Sequence, residues 1–164
     1  MIEFKSVDFP ADLGISKIII RESFATVAEE FKLTMDNCPS NPAFIESDRL
    51  LNLPGECRQL FLLYDNKTAK GFVAVEKSLN EPGVYFIEKV AVLPDYRHRG
   101  LGKRIISFAQ EEIIKSGGYI ASIAIINENA RLKTWYKSLN FMETRIRKFD
   151  HLPFTVCFMK KQLT

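Results

Sequence analysis

Val90-Ala91-Val92-Leu93-Pro94-Asp95-Tyr96-Arg97-His98-Arg99-Gly100-Leu101-Gly102-Lys103 is the stretch on which the fold turns. Its first residues end a largely apolar run that begins at Val84, and Pro94 stops that run. Beyond Gly100 the apolar spacing changes. Leu101, Ile105, Phe108, Ala109 and Ile113 share one face of a 3.6-residue period, and Ser116-Gly117-Gly118 supplies a helix stop. Tyr119 to Ile126 is then almost wholly apolar, as befits a strand covered on both faces. Strand, crossover helix and buried strand predict a parallel pair joined by a right-handed connection.

On the N-terminal side, Ile2 to Phe9 alternates like a half-buried strand, and Leu13 to Phe31 has helical spacing. Cys38-Pro39-Ser40-Asn41-Pro42 breaks the chain, and Phe44 to Leu51 reads as a short helix. Arg58 to Tyr64 and Gly71 to Val75 form a hairpin around Asp65-Asn66-Lys67, and Asn80-Glu81-Pro82-Gly83 turns into the strand Val84 to Val92. On the C-terminal side, Leu132, Trp135, Tyr136 and Leu139 line a helix, followed by strands near Phe141 to Arg147 and Phe154 to Met159. The expected fold is α/β (α+β): a mixed sheet of about six to seven strands with helices on both faces, in one domain spanning residues 1–164.

Composition narrows the function. With 46% hydrophobic and 26% charged residues, the chain has the make-up of a globular protein and not of a disordered one. A net charge of +3 tolerates an anionic ligand but falls short of the dense basic surface that nucleic-acid binding needs. The three cysteines, Cys38, Cys57 and Cys157, are unevenly spaced, and neither His98 nor His151 stands at metal-ligand spacing from them. A metal site and a disulfide framework are therefore not expected. The charged, alternating N-terminus is no signal peptide, and no apolar run could span a bilayer, so a cytoplasmic setting is expected.

The turn from Arg97 to Lys103 carries the chemistry. Amides in a helix's first turn lack internal partners, and the helix dipole adds partial positive charge, so an anion is favoured there. Gly100 and Gly102 let a diphosphate approach the backbone, and Arg97, Arg99 and Lys103 can add charge-assisted bonds. An alternative reading has the glycines only tightening a turn rimmed by solvated charges. A dinucleotide loop is disfavoured because Arg99-Gly100-Leu101-Gly102 lacks the third glycine of its fingerprint, and no Walker pattern is present.

Arg97-His98-Arg99-Gly100-Leu101-Gly102 resembles the coenzyme-binding signature of the GNAT acetyltransferases, Arg/Gln-x-x-Gly-x-Gly/Ala. A second stretch, Asn129, Trp135-Tyr136 and Leu139-Asn140-Phe141, resembles another motif of that family, and the likeness runs from about residue 58 to 148. Asn140 stands where the family usually has glycine, a mild departure because asparagine tolerates left-handed geometry. The resemblance implies an acetyl-CoA-dependent N-acetyltransferase. The backbone of Val90, Ala91 and Val92 would pair with the pantetheine arm. The amides of Arg97, His98, Arg99, Gly100, Leu101, Gly102 and Lys103 would hold the pyrophosphate, and Asn129 would contact the coenzyme. The family also often forms homodimers. A coenzyme-A-binding module without chemistry is the alternative.

Two catalytic candidates follow. Tyr136 packs on the stripe of Leu132 and Leu139, yet the resemblance places it at the coenzyme sulfur as a proton donor. Glu88 is a carboxylate inside a strand, either a base or an ion-pair partner, while Lys89 should point to the opposite face. The acceptor, expected to be a small-molecule amine, should meet Phe31 to Cys57 and Phe149 to Phe154. Phe31, Phe44, His151 and Phe154 would serve as contacts, with Glu46, Asp48 and Asp150 suited to a cation.

Overall fold

The computed structural model describes residues 1–163. In chain order the elements are β1 (Ile2–Ser6), α1 (Leu13–Glu30), α2 (Ser47–Leu51), β2 (Arg58–Asp65), β3 (Thr68–Lys77), β4 (Val84–Val92), α3 (Leu101–Lys115), β5 (Ile120–Ile126), α4 (Ala130–Ser138), β6 (Met142–Lys148) and β7 (Thr155–Gln162). All seven strands join one sheet in the order β1-β2-β3-β4-β5-β7-β6. Among the described residues only β4 and β5 pair parallel, and α3 is their crossover.

Alternation along the strands separates two cores. Leu60, Leu62, Phe72, Ala74 and Ala91 face Ile19, Ile20 and Leu50 of α1 and α2. On the other face Phe61, Leu63, Val73, Val75, Tyr85 and Ile87 pack against Leu101, Ile105, Ala109 and Ile113 of α3 and against Tyr136 of α4. Helices therefore cover both faces, as the sequence predicts.

Local chemistry sets the connections. Asn66 and Lys67 both have positive φ (50° and 69°), the backbone required for a tight two-residue hairpin between β2 and β3. Gly117 sits at φ 85°, and the Gly118 amide donates to the Ile113 carbonyl at 2.8 Å, closing α3 as its terminal glycines predict. Two boundaries differ from expectation. β1 stops at Ser6 because Asp8 and Asp12 fold back, the Asp12 amide donating to the Asp8 carbonyl at 2.7 Å. Phe44 to Leu51 is not one helix. A 3-10 turn at Pro42–Phe44, capped by Asn41, precedes α2, and extended Ile45 separates the two.

Candidate active site

β4 and β5 share a register only from Val84–Phe86 to Ile120–Ser122; beyond those residues they separate. β5 continues along β7 through Ile126, while β4 stays with β3 through Val92. The two strands thus open a cleft in the middle of the sheet. A cavity of about 660 Å³ fills it. Phe24, Val27 and Pro42 wall it on the α1 side, and Leu132, Trp135 and Tyr136 on the α4 side.

A bulge shapes β4 at this point. Phe72 pairs with Ala91 and Ala74 with Glu88, so β4 carries one extra residue between them, and Lys89 adopts φ 50°. Strict alternation would put Glu88 and Lys89 on opposite faces. The bulge instead leaves both lining the cavity, which corrects the expectation for Lys89.

The Glu88 carboxylate lies 4.0 Å from Arg58 Nε, but Arg58 gives its short contact, 2.9 Å, to Glu76. Burial pushes the Glu88 pKa up; Lys89 opposes this, and neighbouring Glu76 adds to it. A carboxyl that holds its proton at higher pH, facing a cavity, suits a general base.

Tyr136 is 4% exposed and packs edge-on against Trp135 and Phe141. Burial raises its pKa above the ordinary tyrosine range, so the ring stays neutral. Its hydroxyl makes no hydrogen bond to the described residues. Packing and cavity lining coexist in this side chain.

In the turn before α3, His98 and Gly100 both have left-handed backbone, at φ 60° and 80°. No side chain caps α3, and the amides of Leu101, Gly102 and Lys103 have no backbone partner among the described residues. Nothing lies within 4 Å of a Cβ built on Gly100. Open, unpaired amides at a helix start form an anion site. The side chains divide differently from expectation. Leu101 is buried in the core, so only its backbone is available. Arg97 turns away from the amides: it donates to the Val92 carbonyl (3.2 Å), the Ser23 carbonyl (2.6 Å) and Thr26 Oγ1 (2.9 Å). Arg97 is therefore a clamp between the turn and α1. Gly102 is small for a different reason from Gly100, since a Cβ there would meet the Trp135 ring at 3.3 Å.

Asn129 caps α4, its side-chain oxygen accepting from the Leu132 amide at 3.1 Å, and it also lines the cavity. Asn140 has φ 70°, so it occupies the left-handed position that the resemblance reserves for glycine. Of the acceptor candidates, Phe154 lines the cavity. Phe31 and Phe44 instead pack in a small satellite core with Ala28, Leu33 and Cys38, and exposed His151 lies edge-on to Phe149. Glu46 is taken by Lys17 and Arg21 at 3.0 and 2.9 Å, and neither Asp48 nor Asp150 lines the cavity. Sequence reasoning missed Phe24, Val27 and Arg49, which reach the cavity from elements distant in the chain.

The chain belongs to the GNAT acetyltransferases: the model of the acetyltransferase (GNAT) domain matches residues 56–143, just over half of it. It is 30% identical over 94 residues to the ribosomal protein bS18-alanine N-acetyltransferase of Escherichia coli, a match covering 57% of this chain and 62% of that relative. Solved structures share the fold. The Escherichia coli ribosomal-protein-S18-alanine N-acetyltransferase aligns with a TM-score of 0.77 at 20% identity over 100% of this chain and 95% of that one. The PaiA N-acetyltransferase of Thermoplasma acidophilum, crystallised with coenzyme A, aligns with 0.79 at 17% identity over 99% of both. No helix among the described residues is long and apolar enough to cross a membrane.

Proposed function

We propose that the protein is an acetyl-CoA-dependent N-acetyltransferase acting on the amine of a small molecule. The observation that carries this reading is the cavity at the β4–β5 split, which has Glu88 on one wall and Tyr136 on another. Trp135, itself a cavity wall, lies against Gly102 of the anion-binding turn and so links that turn to the cavity. In this reading the pyrophosphate sits on the amides of Leu101, Gly102 and Lys103. The pantetheine arm follows the unpaired edge of β4 at Val90, Ala91 and Val92, and Asn129 flanks it.

The amine then attacks the thioester carbonyl. A C–N bond forms, the C–S bond breaks, and the amine's surplus proton passes to Glu88, directly or through water. Tyr136 faces the leaving sulfur. A thiol titrates near ~8.5 and a tyrosine near ~10, and burial weakens Tyr136 further as an acid. Its hydroxyl therefore stabilises the thiolate by donating a hydrogen bond, with the proton shared. A protein amine is the second reading, favoured by the relative named for a ribosomal-protein alanine. The free, partly buried cysteines accord with a cytoplasmic setting.

Thermal melting with saturating acetyl-CoA, followed by thiol release over a panel of amines and alanyl peptides, tests the proposal. Stabilisation and turnover of a small amine are expected. A melting temperature indifferent to acetyl-CoA overturns it, and stabilisation without turnover of any amine or peptide reduces the protein to a coenzyme-binding module.

A further inference from the structure

Resting on the acetyltransferase reading, we propose that the acceptor carries a carboxylate close to its reactive amine, and that Lys89 and Arg49 bind that carboxylate. The acceptor is thus an amino-acid-like small molecule and not a polycation. Three charged side chains line the cavity, Arg49, Glu88 and Lys89, so its wall is net positive even with Glu88 ionised. The acids that might welcome a cationic acceptor are elsewhere, with Glu46 bound to Lys17 and Arg21 and Glu76 bound to Arg58.

Lys89 is the telling residue. The β4 bulge holds it at φ 50°, a backbone region unfavourable for a lysine, and thereby brings it into the cavity beside Glu88. It makes no hydrogen bond and no ion pair with the described residues. Burial, with Arg58 and Arg49 nearby, pulls its pKa down, while Glu88 opposes this. Glu88 stands beside Lys89 but makes no ion pair with it, and an ammonium held half-buried without an anion in contact is disfavoured unless a ligand supplies one. Arg49 uses one nitrogen on the Ser40 carbonyl at 3.0 Å, which leaves the rest of its guanidinium fork free. The coenzyme's phosphates do not meet this need, because no residue from Arg97 to Lys103 lines the cavity. Glu88 and Lys89 line the same cavity and feel each other's charge, so one small acceptor can present its amine to the first and its carboxylate to the second, as an amino acid would.

Matched acceptors decide the point: L-phenylalanine against phenethylamine, 4-aminobutyrate against butylamine, with spermidine and an alanyl peptide amide as further arms. Each carboxylated member is expected to exceed its partner in kcat/KM by about tenfold or more. Lys89→Met should raise the KM of the carboxylated acceptors by a similar factor and erase the preference, while acetyl-CoA still stabilises the variant. Arg49→Gln, at an exposed position with no bearing on the core, should do the same to a smaller degree. Preference for the neutral amine, spermidine or the peptide amide overturns the inference, as does a preference that survives both substitutions. So does a panel without turnover on a protein that acetyl-CoA stabilises. Absence of that stabilisation instead removes the acetyltransferase reading itself.

Discussion

The Arg97 guanidinium reaches the Ser23 carbonyl at 2.6 Å, joining the turn before α3 to α1, the helix that forms one wall of the cavity. Thr26 Oγ1 and the Val92 carbonyl take its other donors. Arg97→Gln should therefore cost stability, about 2 kcal/mol for lost hydrogen bonds from a charged group. Acetyl-CoA should still raise the melting temperature of the variant by nearly the wild-type increment. An unchanged apo melting temperature with a lost increment would make Arg97 a phosphate ligand instead of a clamp.

The backbone of the turn, and not its cations, should govern coenzyme binding. Gly100 at φ 80° faces open space. Gly100→Ala should then cost about 1 kcal/mol of backbone strain while leaving room for the ligand. Gly100→Asp adds a carboxylate where the phosphates approach, and acetyl-CoA binding measured by calorimetry should disappear. Equal coenzyme affinity in the Asp variant would place the anion site elsewhere.

Much of this architecture was legible in the sequence because it is written locally. The switch from strand to helix period at Gly100, the glycine stop after Lys115 and the left-handed Asn140 each depend on residues within a turn of one another. The bulge at Lys89 was not legible, since it exists only through the register of β4 on β3. The clamp made by Arg97 was not legible for the same reason: its partners Ser23 and Thr26 are 74 and 71 residues away. Phe31 and Phe44 pack in the same satellite cluster as Phe24 and Phe154, but only the latter two also reach the cavity, a distinction that composition cannot make.

Tyr136→Phe removes a hydroxyl that has no partner among the described residues and keeps the ring that packs on Trp135 and Phe141. Stability and acetyl-CoA affinity should hold. Turnover should fall by roughly 10²-fold, the usual scale for a positioned proton donor. Turnover at the wild-type level would leave Tyr136 a packing residue.

Glu88→Gln separates base from ion-pair partner through pH. A carboxyl raised by burial contributes stability that is full below its unfolded pKa and is lost as pH climbs through the folded value. Above the folded pKa the ionised, half-buried Glu88 thus weakens the fold, and there the Gln variant should melt no lower than wild type. Its kcat/KM should drop, and the acid limb that belongs to Glu88 should vanish from the pH–rate profile. A lower melting temperature with an unaltered profile would return Glu88 to pairing with Arg58.

Acceptor choice should reside in the α1 wall and in Phe154, and not in the other aromatics first suggested by the sequence. Phe24, Val27 and Pro42 face the cavity together with Phe154, so trimming these side chains changes the space an acceptor occupies. Phe31 and Phe44 are spent on the satellite core around Leu33 and Cys38, and His151 stands in solvent beside Phe149. Phe24 is partly buried in two cores, so Phe24→Leu, which keeps apolar bulk, is the informative change. Both Phe24→Leu and Phe154→Ala should shift acceptor KM several-fold while acetyl-CoA KM stays near wild type. His151→Ala should alter neither constant. Phe44→Ala should destabilise the fold by somewhat less than the roughly 3 kcal/mol typical of a fully buried core phenylalanine, seen as a lower melting temperature, and leave the acceptor KM of the folded enzyme alone. Acceptor kinetics that respond to His151 and Phe44 but ignore Phe24 and Phe154 would place the acceptor outside this cavity.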